Sequence, residues 1–296
     1  MNTSHELRRT ISTILCTIIL LGWSQTAWLT PLTGKQAPTG EIFTSIEQAL
    51  KSPKKVKRLY LNGRQLQELS PKIGQLSDLE ELNLIDNQLI DLPAEIAQLK
   101  KLKNLYLQFN QFTQLPKVVS QLPSLQYLSV ANNFLISLPK ELSQLKKLSG
   151  LDLRGNKLNA LPNSFANMKG LVTLNLDSNL FSKLPNCVTQ MCSLKMLEVK
   201  NNRLKSLPLS IKNLQNLLIL DIAHNNLKEV PVSLSYLKKL VFLYLNKNQL
   251  TDFPDCVLAL KKLKLLHLNH NAMQVTAQQK KALSFIPRLD LTTGSK

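Results

Sequence analysis

From Val56 to Leu263 a pattern of period 23 recurs ten times without insertion or deletion. Its frames open at Val56, Leu79, Leu102, Leu125, Leu148, Leu171, Leu194, Leu217, Leu240 and Leu263. Each frame reads LxxLxLxxNxLxxLPxxIxxLxx, as in LEELNLIDNQLIDLPAEIAQLKK from Leu79 to Lys101. Leucines at positions 1, 11, 14, 18 and 21 cannot all lie on one helix or one strand, whose faces repeat about every 3.6 and about every 2 residues. They converge only if each frame is one coil of a spiral whose interior they fill. A lone coil would leave that interior open to water, so neighbouring coils must stack to bury it.

Within a frame, positions 4 and 6 (Leu82 and Leu84, for example) alternate as one face of a short strand, and position 5 points the other way. Position 9 is Asn in nine frames: Asn87, Asn110, Asn133, Asn156, Asn179, Asn202, Asn225, Asn248 and Asn271. Asn carries two donors and an acceptor on a short arm, so this column is expected to satisfy buried backbone groups where the chain leaves the strand. Position 15 is Pro in eight frames, from Pro93 to Pro254, which suits the first residue of a short helical turn on the outer side of each coil. The end frames depart from the pattern at Arg64, Ser70, Met273, Thr276 and Ala277, as capping coils do. Residues 41–55, with apolar residues at helical spacing from Ile42 to Leu50, are expected to form a helical N-terminal cap. Residues 276–296 are expected to form a C-terminal cap and tail, the cap over Gln278 to Phe285, too short for a second domain.

These frames resemble the leucine-rich-repeat family, in the LxxLP subclass of Scribble-like scaffolds, Ras-group plant proteins and exported bacterial proteins. The resemblance covers residues 56–275 and implies an α/β solenoid, a curved horseshoe of ten coils. Parallel strands would line its concave face and short helical turns its convex face. It also implies a protein-binding module rather than an enzyme, with the partner held on the concave face. The partner's identity is not implied, because contact residues lie outside the consensus.

The N-terminus carries a second signal. Arg8 and Arg9 precede an apolar run from Ile11 to Trp23, followed by small and polar residues to Ala27. That order describes a secretory signal peptide over residues 1–27, cleaved after Ala27, with residues 28–40 as a linker. The apolar core is shorter than the roughly 17 to 25 residues of a spanning helix. Export is therefore the expectation, and an uncleaved membrane anchor the alternative. Cys187, Cys192 and Cys256 remain in the mature chain, spaced poorly for disulfides.

Net charge is +18. Much of it falls at positions 22, 23 and 2, where thirteen lysines, among them Lys57, Lys101, Lys103, Lys238, Lys239, Lys261, Lys262 and Lys264, align along one edge. Such a stripe keeps a leucine-rich body soluble, or attracts a cell-envelope polyanion; nucleic acid is the less favoured partner.

The candidate partner-binding residues occupy the variable positions of the concave face. Tyr60, Tyr106, Phe109 and Tyr127 form an aromatic group; Asp152, Asp177, Glu198 and Asp221 form an acidic ladder; Met196, Ile219, Phe242 and Leu265, with Tyr244 alongside, form an apolar column expected to be exposed. No catalytic, metal or cofactor residue is expected. The sequence holds no kinase signature, G-x-S-x-G or P-loop. His224 stands two coils, or about 10 Å, from His267 and His270, too far to share one zinc ion. A carboxylate pair such as Asp152 and Asp177 would lie on an open face that does not exclude water. Neither a small-molecule substrate nor effector-ligase chemistry is expected.

Overall fold

A computed structural model describes residues 40–291; the expected signal peptide, most of the linker and the last five residues lie outside it. Twelve parallel strands form one sheet in strictly sequential order. β1 (Ile42–Phe43) opens it, β2 (Arg58–Tyr60) to β11 (Leu265–His267) supply one strand per frame at positions 3 to 5, and β12 (Arg288–Asp290) closes it. The register is constant: Leu82 pairs with Leu59 and Leu105, Leu220 with Leu197 and Leu243, always one period apart. Position 4 therefore stacks on position 4 along the whole sheet.

The leucines of positions 1, 4, 6, 11, 14, 18 and 21 merge into one continuous core from Phe43 to Ile286. Leu82, Leu105, Leu128, Leu174, Leu197 and Leu220 are completely buried in it. Removing one such side chain costs about 2–5 kcal/mol, because the lining cannot close the cavity.

Two positions turn the chain off each strand. Position 8 has positive φ in all ten frames, with Gly63 and Gly155 in two and larger residues in the others, such as Asp86 (φ 57°), Phe109 (φ 55°) and Lys247 (φ 54°). Position 9 then clamps the coil. Asn156, for instance, donates through Nδ2 to the carbonyls of Leu153 (2.9 Å) and Val130 (3.0 Å), and its Oδ1 accepts from the N–H of Leu135 (2.9 Å). The same bonds recur from Asn87 to Asn271, so each Asn joins its own coil to the one before it.

On the convex side each of the first nine coils carries a short 3₁₀ segment, such as Ala94–Gln98 or Leu209–Asn213. The proline precedes this segment instead of starting it. Pro93 is extended (φ −66°, ψ 148°) and its carbonyl accepts the first bond, from Ile96. Within the frames a proline occupies the first helical position once, at Pro71 after the Ser70 cap, and Pro53 does so in the 3₁₀ segment ahead of the first frame.

Both caps differ from the sequence expectation. The N-terminal segment divides into β1 and a short helix α1 (Ile46–Leu50), because Phe43 pairs with Leu59 and is drawn into the sheet. At the other end helix α2 (Ala277–Ala282) begins with a capping box formed by Thr276 and Gln279. β12 then pairs with β11 and covers the last coil, a strand the repeat pattern does not announce.

Candidate partner-binding face

Because positions 3 and 5 flank a buried position 4, their side chains stand in two columns on the open side of the sheet, with position 7 beside them. The N-terminal part of this face is aromatic and hydrogen-bonded. Tyr106 and Tyr127 are both buried, with ring centroids 5.5 Å apart and tilted by 52°. Tyr60 donates its hydroxyl to Glu81, which also accepts from Asn104 Nδ2 (3.1 Å). Burial, and then this bond and charge, push the Tyr60 hydroxyl up to about 12. Phe109 does not join this group. It stands at position 8, past the strand, and is 53% exposed.

The acidic ladder runs through the middle. Asp152 is buried, accepts from Ser129 Oγ (3.1 Å), and lies 3.4 Å from Arg154 Nη2. Asp177 accepts from the N–H of Lys200 (2.7 Å), Asp221 from that of Ala223 (3.0 Å), and Glu198 from Asn175 Nδ2 (2.8 Å). Among the described residues, none of Asp177, Glu198 and Asp221 forms an ion pair. All four carboxyls are held above their ordinary range, chiefly by burial. For Asp177 the next cause is the charge of Asp221, and for Glu198 the charges of Asp177 and Asp221.

The apolar column requires a correction. Met196, Ile219, Phe242 and Leu265 are all buried, between 5% and 8% exposed, and are not an open stripe. Neighbouring strands are about 4.8 Å apart, closer than these side chains are wide, so each covers the next. Position 2 closes the flank: Val241 belongs to the same cluster, with Val172, Leu218 and Tyr244 packed against it. The column is a second, smaller core on the concave side. What remains accessible beside it is the position-5 column, where Tyr244 is half-buried and meets the His267 ring edge-on at 5.2 Å.

Three groups on this surface escape a sequence reading aimed at strand positions. Arg154 at position 7 faces Asp152; a cation at position 7 beside a carboxylate ladder, as Lys200 also is, is the signal that finds it. Glu81 holds the tyrosine end together. Ile90 (66% exposed), Phe134 (47%) and Ile136 (57%) project with Phe109 from the edge where the chain leaves the strands. They occupy positions 10 and 12, where polar residues are usual, and Lys157 lies 5.0 Å over the Phe134 ring.

The described residues contain no group of three or more His, Cys, Asp or Glu side chains arranged to hold a metal ion. Cys187, Cys192 and Cys256 are free thiols.

Family models agree with this geometry. A leucine-rich-repeat-region model matches residues 119–203 and 186–290, and a leucine-rich-repeat model matches residues 54–112. An LRR protein of Leptospira interrogans is 32% identical, with a TM-score of 0.73 over 86% of this chain and 76% of that one. This chain belongs to the leucine-rich-repeat family. The LRR ectodomain of the membrane receptor kinase GASSHO1/SCHENGEN3 of Arabidopsis thaliana, solved with CASPARIAN STRIP INTEGRITY FACTOR 2, is 31% identical with a TM-score of 0.69. That alignment covers 86% of this chain but 32% of the receptor chain. An internalin of Listeria monocytogenes shares the fold at 20% identity, with a TM-score of 0.58 over 84% of this chain and 88% of its own. The search of curated proteins found no match. The receptor ectodomain solved with its ligand makes this chain similar to a protein-binding repeat module, and the internalin shares its fold. Among the described residues no helix is long and apolar enough to cross a membrane.

Proposed function

We propose that this LRR protein is an exported, non-catalytic module that holds a protein partner on its concave face. The observation that carries the reading is the strip of Asp177, Glu198 and Asp221 beside Tyr244. It holds three half-buried carboxyls that form no ion pair among the described residues, with the more distant charges of Lys200 and Arg154 acting on them, on a sheet face whose fold is already secured by positions 4 and 6. Three carboxyls crowded on one face and partly removed from water disfavour their own ionisation, so a partner that presents a lysine or arginine to the strip would relieve them. The likeness to ectodomains solved with peptide ligands supports a protein partner. The N-terminal pattern of residues 1–27 supports export.

The test places a photo-crosslinking residue at Tyr244, and at Val232 on the convex side as a control, in the full chain expressed in its own envelope. A partner captured from Tyr244 and not from Val232, whose binding Asp221→Asn weakens at least tenfold, supports the reading. Capture from Val232 alone, or binding indifferent to Asp221→Asn, overturns it. Mature protein recovered outside the cytoplasm should begin near Trp28; an intact Met1 in a membrane fraction would make the segment an anchor.

A further inference from the structure

The lysines of positions 22, 23 and 2 meet along the edge that leads into the strands, and ion pairing divides that edge in two. In its N-terminal part Asp78 and Glu80 occupy positions 23 and 2. Asp78 pairs with Lys101 (2.7 Å), and Glu80 pairs with both Lys57 (3.9 Å) and Lys103 (2.5 Å). From Lys146 onward these three positions carry no carboxylate in any frame. Lys238 and Lys239 lie one coil from Lys261 and Lys262, a relation held by the pairing of Phe242 with Leu265, and Lys264 follows on the same edge. Lys238 Nζ donates to the Ala259 carbonyl (3.2 Å), Lys239 Nζ to Asn216 Oδ1 (2.7 Å), and Lys261 Nζ sits 4.8 Å over the Phe285 ring. These contacts are to neutral groups and leave the charge uncompensated. Among the described residues none of the five has a carboxylate within ion-pair distance.

We propose that this C-terminal stretch of the lysine edge binds a linear anionic polysaccharide bearing sulfate or phosphate groups. The cations follow the solenoid axis in steps of about 4.8 Å, so a chain with closely spaced charges laid along the edge meets several at once. Lysine ammonium groups are point charges on flexible stems; they respond to charge density and do not impose the planar geometry that arginine does. Single-stranded nucleic acid would look for aromatic platforms between the charges. Positions 22, 23 and 2 hold one aromatic residue, Phe285 of the last frame, half-buried and covered by Lys261 Nζ, so no series of stacking platforms runs between the lysines. A membrane surface would look for exposed apolar anchors. The exposed large apolar residues of the described chain, such as Phe109, Ile136, Val232 and Tyr236, lie at other frame positions. The site is separate from the concave carboxylate strip, so a protein and a polymer can be held together.

The test uses heparin as the probe and the full chain, with Kd measured by titration across a range of salt concentrations. Lys238, Lys239, Lys261 and Lys262 are replaced together by Gln, and Lys57, Lys100, Lys101 and Lys103 in a matched second variant. The first set should weaken heparin binding at least tenfold and flatten the dependence of Kd on salt, since fewer counterions are released. The second set should change it less than threefold. The first variant should keep the parent's melting temperature, its four side chains being exposed, and the second should melt slightly lower because it breaks the ion pairs of Asp78 and Glu80. Equal losses in the two variants, or no measurable heparin binding, overturn the proposal. So does tighter binding to single-stranded DNA or to phosphatidylglycerol vesicles, lost in the same variant.

Discussion

The asparagine column offers a sharp energetic test, because each rung has a countable set of partners. In Asn156→Ala the N–H of Leu135 loses its acceptor, and no backbone carbonyl takes its place. A buried donor left alone costs about 1–3 kcal/mol. The carbonyls of Val130 and Leu153 each lose one of two bonds, since Asn133 and Asn179 still donate to them. At about 0.5–1 kcal/mol for each of those, the whole substitution should destabilise by about 2–5 kcal/mol. Asn271 is the last rung and is half-buried. Water can reach the groups that Asn271→Ala would free, so that change should cost about 1 kcal/mol. Asn156→Asp keeps an acceptor for Leu135 but faces two carbonyl oxygens with no donor, and should be no better than Ala at neutral pH. Equilibrium urea denaturation of the three variants measures the differences. A loss below 1 kcal/mol for Asn156→Ala, or equal losses at 156 and 271, would refute the reasoning that the column serves buried backbone.

Three further outcomes are expected. Phe242→Ala should destabilise by about 2–4 kcal/mol, because the side chain is buried in the concave cluster; a change below 0.5 kcal/mol would restore the column to an idle exposed stripe. Glu198→Gln tests the carboxylate strip. The folded-state carboxyl is raised above its ordinary 4.5, so its contribution to stability is fully present below that value and is lost as pH rises through the folded one. The Gln variant should therefore exceed the parent in urea midpoint at pH 8, with the advantage shrinking toward pH 4; an advantage that grew on acidification would reverse the sign. At position 8, Lys247→Gly should raise stability by about 0.5–1 kcal/mol by removing the left-handed penalty of a Cβ, while Lys247→Val should lower it by about 1 kcal/mol or more; thermal melts that rank the two the other way would contradict the observed backbone.

A period of 23 held over ten frames is enough, by itself, to determine the solenoid. Leu82 and Leu105 hold the same frame position one period apart, and only stacked coils bury both. The asparagine and proline columns were legible for the same reason: a residue type repeated at one frame position answers a backbone need repeated there. The exposure of the variable positions was not legible. Alternation in a strand says that Phe242 points away from Leu243, but whether that side meets water depends on Ile219 and Leu265 one coil away and on Val241 turning onto the same flank. The caps were half-visible, since β1 and β12 form strands only because the sheet edge beside them offers unpaired N–H and C=O groups. Asp78 and Glu80 look like isolated acids in the sequence; the coil register sets them against Lys101, Lys57 and Lys103 and so neutralises one end of the lysine edge but not the other. Local pattern determines what a coil is, and the contacts between coils, which no single frame contains, decide which of its side chains are left for a partner.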